Sequence, residues 1–226
     1  LYTRLRKAPL LYGLDTGDVL ADPALDARRQ LWVTSAARIL ATHGMIRFDE
    51  VAGTLHPTSV GRIASRYYLG HETIAIFATR LRNGIREADA LDCMSRATDF
   101  AQIPLRDSEE DELTGLQERV PCQVPGGTAT APGKVNILLQ AHISHLFIED
   151  FALVSDARYV AQNAGRVLQA LFELSLDRGF ATAASAFLNL AKSVDKCVWP
   201  FEHPLRQYPT LNADVIHRIT MYADCL

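Results

Sequence analysis

The chain has 226 residues with 26 acidic and 23 basic side chains, a formal net charge of −3. With a pI near 6.2, that balance excludes a protein that coats nucleic acid by bulk charge, while leaving room for a local basic track. Apolar residues make up 48% and charged residues 22%, which suits a globular chain with ample core, and no apolar run approaches the ~18 residues of a membrane span.

The first stretch, LYTRLRKAPLLYG, lacks a signal-peptide core and reads as a short helical remnant over 3–7 broken at Pro9. It begins without Met and in mid-pattern, as a piece of a longer chain would. Asp22-Pro23 is a good helix start, with Asp as cap and Pro in the first turn. Leu25, Leu31 or Trp32, Ala36, Ile39 and Leu40 follow at helical spacing, and Gly44 ends the helix. MIRFDEVAGTLHPT then alternates around Gly53 as a hairpin. A helix followed by a small hairpin is the outline of a winged helix.

Thr58 is placed to cap the helix SVGRIASRYYLG, and three further helices follow, separated by Gly84 and Pro104. The acids at Ser108-Glu109-Glu110-Asp111 read as a solvated helix start, where the helix dipole favours them. PCQVPGGTATAPG is a loop, and KVNILLQAHISHLF a short helix. The long helix begins at Ser155 and ends near Arg178. Val160, Ala164, Val167, Leu171 and Leu174 fall on one apolar stripe, widened by Ala157, Ala161, Leu168 and Phe172. So broad a stripe places this helix in the middle of a bundle. A second helix, TAASAFLNLAKSVDKCVW, packs back on it until Pro200, and ADVIHRITMYADCL starts a last one. The chain is mainly α.

Gly133-Lys134 invites a phosphate-loop reading, but Thr128 stands where that motif needs Gly and Val135 where it needs Ser or Thr. His142 and His145, with Glu149, could share a helix face, yet no metal-ligand spacing supports them, so no metal is expected. Cys93, Cys122, Cys197 and Cys225 form no C-x-x-C pair and read as packed, reduced thiols of an intracellular protein. No nucleophile elbow or other catalytic constellation is present.

What remains is the polar ribbon of the long helix: Arg158, Gln162, Gly165, Arg166, Gln169 and Glu173, with Asn163 at its edge. Arginines can contact phosphates and glutamines can hydrogen-bond sugars or base edges, while a glycine lets a backbone approach closely. The same residues also fit a solvated face, with Arg158 pairing acids near Glu173. The ribbon carries no aromatic residue for stacking.

Several segments together resemble the superkiller-like ATP-dependent RNA and DNA helicases, specifically the tandem-cassette members with a Sec-sixty-three-type helical module. MIRFDE, TSVGRIASRYYLGHETIAIF, KVNILLQAHISHL, SDARYVAQNAGRVLQALFELSLDRG, LNLAKSVDKCVW and PLRQYPTL carry the likeness in order. The resemblance implies an N-terminally incomplete winged helix over 1–69 and a helical bundle over 70–206. A central ratchet helix would run from about 156 to 178, and a truncated helix-hairpin-helix-like region would start at 207–226.

It further implies that the ratchet helix guides a single strand during 3′-to-5′ unwinding. Asn163 and Arg166 would face the strand, with Gln162, Gln169 and Arg158 as neighbours; the family places Ser or Asn at the first of these. The motor domains, with ATP and Mg, would lie upstream, so the fragment itself holds no cofactor and is not an enzyme. Implied partners are single-stranded RNA or DNA, the parent's motor domains and other subunits of a multiprotein complex. No membrane is implied, and the location is nuclear or cytoplasmic. The alternative is a protein-interaction scaffold of such a complex.

Overall fold

A computed structural model describes residues 7–208 and 210–223; most of the helical remnant read at 3–7, and Cys225, lie outside them. The chain divides into two compact units, Leu1–Thr58 and Ser59–Leu226.

The first unit contains α1 (Thr16–Ala21), α2 (Asp26–Thr42) and an antiparallel hairpin of β1 (Ile46–Asp49) and β2 (Thr54–Pro57). Phe48 stands opposite Leu55, and Gly53 closes the turn at φ +65°. Asp22 does cap α2, but from further back than its sequence position implies. Its carboxylate accepts from the amides of Asp26 and Ala27 at 3.1 and 3.0 Å, and Pro23 stays outside the helix. The reason is Leu25, which turns left-handed at φ +53° to bury its side chain beside Leu14 and Val19. Only Ala37 of α2 is buried, and Leu31, Trp32 and Ile39 stay largely exposed. A six-residue helix and two short strands offer little area to cover them.

The second unit is a helical bundle: α3 (Ser59–Arg66), α4 (His71–Arg80), α5 (Glu87–Ser95), α6 (Glu110–Gln117), α7 (Ala131–Ile143), α8 (Phe151–Asp177), α9 (Ala181–Lys196) and α10 (Ala213–Ala223). The 27-residue α8 is the long helix of the sequence reading, and it packs along α9 and touches α7, α3 and α5. All five residues of its predicted stripe are buried, as are Ala157 and Leu168. Each such aliphatic side chain removed from water stabilises the fold by about 1.5–3 kcal/mol. Ala183, Phe187, Leu190, Ala191 and Val194 of α9 face it as expected.

As the polar ribbon implied, α8 keeps one face open, while α7 is covered on all sides, with every residue from Gly133 to Ala141 buried. One expectation changes: α8 starts at Phe151, because Asp150 rather than Ser155 is its cap. The Asp150 carboxylate accepts from the Leu153 amide at 2.9 Å. The amides of Glu149 and Asp150 are in turn received by Glu112 at 2.6 and 3.0 Å, which fixes the entry into the helix.

The acidic start of α6 is not simply solvated either. Glu109 is fully buried and paired with Lys134, itself fully buried, at 2.5 Å. Lys134 also reaches Asp156 at 2.7 Å and the Pro104 carbonyl at 2.8 Å. Arg106 bridges the same two carboxylates from the rim. Pro104, Glu109 and Asp156 thereby converge on one ammonium group.

Candidate nucleic-acid interface

Spacings of four, three and four residues bring Arg158, Gln162, Gly165 and Gln169 onto one face of α8, over about 16 Å of helix. Arg158, Gln162 and Gln169 are exposed and make no hydrogen bond or ion pair with the described residues. Their donors therefore point outward with full hydrogen-bonding capacity. A methyl group built on Gly165 would meet nothing within 4 Å, so nothing in the described chain requires a glycine there.

Arg166 and Asn163 lie at the edge of this face and are engaged. Arg166 donates to the Tyr67 carbonyl at 2.5 Å, to Asp99 at 2.5 Å and to the Asn163 side-chain oxygen at 3.2 Å. The Asn163 amide donates to the Tyr159 carbonyl at 3.0 Å. Arg166 keeps 29% of its side chain exposed. Its fan of partners holds the guanidinium in one place, at the cost of partial charge compensation by Asp99.

The C-terminal half of α8 is fixed by α3 and α4. Glu173 accepts from Arg66 at 2.9 Å and from the Tyr67 hydroxyl at 2.8 Å. Burial and the Glu173 carboxylate together push the Tyr67 hydroxyl above its usual pKa. Ser59 donates to Asp177 at 2.9 Å, and Arg178 reaches the carbonyls of Ala78 and Leu81 at 3.3 and 3.4 Å. The alternative in which Arg158 pairs with acids near Glu173 or with Asp residues does not form among the described residues; Glu173 itself lies about 22 Å further along the helix and is paired with Arg66. Arg158 is left open.

At the other end an open groove of about 810 Å³ runs beside the ribbon, lined by His142, His145, Phe147, Val154, Arg158 and Gln162 among others. Phe147 and Phe151 stand 75% and 87% exposed. The ribbon therefore does carry an aromatic: Phe151 is one turn before Ser155, and a helix start placed at Ser155 hides it.

His142 and His145 face Cys197 rather than Glu149. The His142 ring lies 3.4 Å from the Cys197 sulfur and the His145 ring 3.1 Å from its carbonyl. Among the described residues no three His, Cys, Asp or Glu side chains are grouped to hold a metal ion. Burial raises all three described thiols, that of Cys93 to about 12, which makes them poor nucleophiles.

The Gly133-Lys134 pair has a structural use. A methyl group on Gly133 would sit 1.9 Å from the Gly127 carbonyl oxygen, and Thr130 caps α7 by accepting from the Gly133 amide at 3.1 Å. With its side chain wholly inside the protein, Lys134 cannot reach a nucleotide phosphate.

Comparison with known proteins adds the context that geometry lacks. Residues 57–222 match the Sec63 Brl domain. The chain is 39% identical over 219 residues to the human U5 small nuclear ribonucleoprotein 200 kDa helicase, covering 97% of this chain. It is 39% identical over 220 residues to Activating signal cointegrator 1 complex subunit 3 of Gallus gallus, again covering 97%. It is 34% identical over 228 residues to the DExH-box ATP-dependent RNA helicase DExH14 of Arabidopsis thaliana, covering 100%. The chain spans about a tenth of the length of these relatives, 10%, 10% and 11% respectively. Among the described residues no helix is long and apolar enough to cross a membrane.

Proposed function

The chain belongs to the Sec63 Brl domain family, and on that premise we propose that it is the strand-guiding accessory region of an ATP-dependent helicase. The observation that carries the reading is the face of α8: Arg158, Gln162 and Gln169 are exposed and unspent, with Arg166 clamped at their edge. A single strand of RNA or DNA lies along this face. Arg158 and Arg166 meet phosphates, and the glutamines meet sugars and base edges.

The bonds from α3 and α4 to the C-terminal half of α8 keep the track from yielding as the strand advances 3′ to 5′. The advance is driven by motor domains of the parent protein, where ATP and Mg bind. This region supplies no group to the hydrolysis, since its one phosphate-loop-like lysine is buried. Because the chain is net negative, its own grip is weak and falls with salt. The parent works in a multiprotein complex of the nucleus or cytoplasm, a reading supported by relatives named as a small nuclear ribonucleoprotein helicase and a complex subunit.

The test is made in the full-length protein on a 3′-tailed duplex. Arg158→Ala with Arg166→Ala lowers unwinding by about tenfold or more, the loss of at least one charge-assisted hydrogen bond, and ATP hydrolysis far less. Unchanged unwinding would refute the role of this face. A second reading, a docking scaffold for other subunits, is favoured by the exposed Leu31 and Val33 of α2. Partner capture that survives the arginine changes, without crosslinks to nucleic acid, would support it.

A further inference from the structure

Four non-glycine residues among those described have a positive φ: Leu25, Tyr68, His145 and Cys197. A side chain in this left-handed region is disfavoured, and a bulky one such as tyrosine more so. Three of the four use their side chains within the chain. Leu25 is buried in a small core, His145 meets the Cys197 carbonyl, and Cys197 meets His142. Tyr68 does not. Its side chain is 87% exposed and bonds to no described residue.

Tyr68 occupies the position just past α3 where helices favour glycine. The Leu69 amide donates to the Ala64 carbonyl at 2.9 Å and the Tyr68 amide to that of Ser65 at 3.3 Å, which closes the helix end. The backbone there is also held from α8. Arg166 donates to the Tyr67 carbonyl at 2.5 Å and approaches that of Tyr68 at 3.4 Å. An exposed aromatic ring is thus carried on a strained but fixed mount, bolted to the guanidinium that edges the strand track. The ring gains nothing from the fold that holds it. Its use lies outside the described chain.

We propose that Tyr68 is a base-stacking platform, which receives one unpaired nucleobase of the strand lying along α8. This rests on the track reading of α8 and adds a site to it. A nucleobase fits better than a partner's apolar side chain, because the groups next to Tyr68 are charged: Arg66, paired with Glu173, stands two residues before it, and Arg166, paired with Asp99, approaches its backbone carbonyl. A base offers a flat π-face to the tyrosine while its own phosphate lies within reach of arginine, and stacking of this kind tolerates any sequence.

The experiment uses the full-length protein and a 3′-tailed duplex, with single tail positions made abasic in turn. Tyr68→Ala weakens tail binding roughly 5- to 100-fold, the range seen when a stacking aromatic is removed, and Tyr68→Phe retains it. One abasic position costs the unsubstituted protein a similar factor and costs Tyr68→Ala nothing more. Tyr68→Gly, which removes the ring while relaxing the backbone, loses binding like alanine and so separates stacking from misfolding.

If Arg158→Ala weakens binding but Tyr68→Ala does not, stacking is overturned and the track stands. If neither weakens it, both fall. If Tyr68→Ala spares tail affinity but lowers the thermal midpoint of the full-length protein, the ring is covered by another part of that protein and the proposal fails.

Discussion

The ammonium of Lys134 lies 2.5 Å from a Glu109 carboxylate oxygen, and neither side chain is exposed to solvent. Asp156 and the Pro104 carbonyl complete its coordination at 2.7 and 2.8 Å. Since Asp156 belongs to α8, this cluster sets the rotation of the long helix about its axis, and with it which residues face outward. Replacing Lys134 by Met strands one wholly buried carboxylate and one largely buried one. The expected loss is about 3–5 kcal/mol, as for other buried pairs broken on one side. Arg106 holds it to the lower end. Urea unfolding of the chain measures it, and adding Glu109→Gln to Lys134→Met should recover part of the loss. A change of under about 1 kcal/mol would place the cluster among surface-like pairs.

His142 gives the stability a pH dependence. Burial lowers its pKa below the ordinary 6.5, and the neighbouring charge of His145 lowers it further, against a smaller opposing effect of the Val194 carbonyl. As pH falls through 6.5 the unfolded chain takes up a proton that the folded chain refuses until its lower pKa is reached. Stability is therefore intact above 6.5 and declines on acidification between those two values. Thermal midpoints at pH 7.5 and 5.5 should differ less in His142→Gln than in the unsubstituted chain. Equal slopes would remove His142 from the account.

The buried stripe of α8 is legible because a 3.6-residue period survives in any order of neighbours, and the exposed Arg158, Gln162 and Gln169 are its complement. The start of the helix is not, because Asp150 competes with Ser155 only once Glu112, some 38 residues away, has fixed the preceding amides. The burial of Lys134 is equally hidden, since its counter-charges come from residues 109 and 156. Arg166 looks free in a linear reading for the same reason. Its partners Tyr67 and Asp99 stand 99 and 67 residues back in the chain. Periodicity reports which face is covered; it does not report which exposed-looking charge has already found a distant partner.

Gly165 separates the needs of the fold from those of a strand. Glycine inside a helix is about 1 kcal/mol less favourable than alanine, and a methyl group here would meet nothing within 4 Å. Gly165→Ala should therefore raise the stability of the chain by up to about 1 kcal/mol, read from its urea midpoint. In the full-length protein the same methyl group would stand between Gln162 and Gln169, where a strand on this face approaches the helix backbone. Tail affinity on a 3′-tailed duplex should fall several-fold while stability rises, since an ordered close contact displaced by one methyl group costs on the order of 1 kcal/mol. Stability and affinity moving in opposite directions is a result no purely structural role for Gly165 produces. A gain in stability with affinity unchanged would mean that the strand keeps clear of the backbone at this turn, leaving the grip to the flanking side chains.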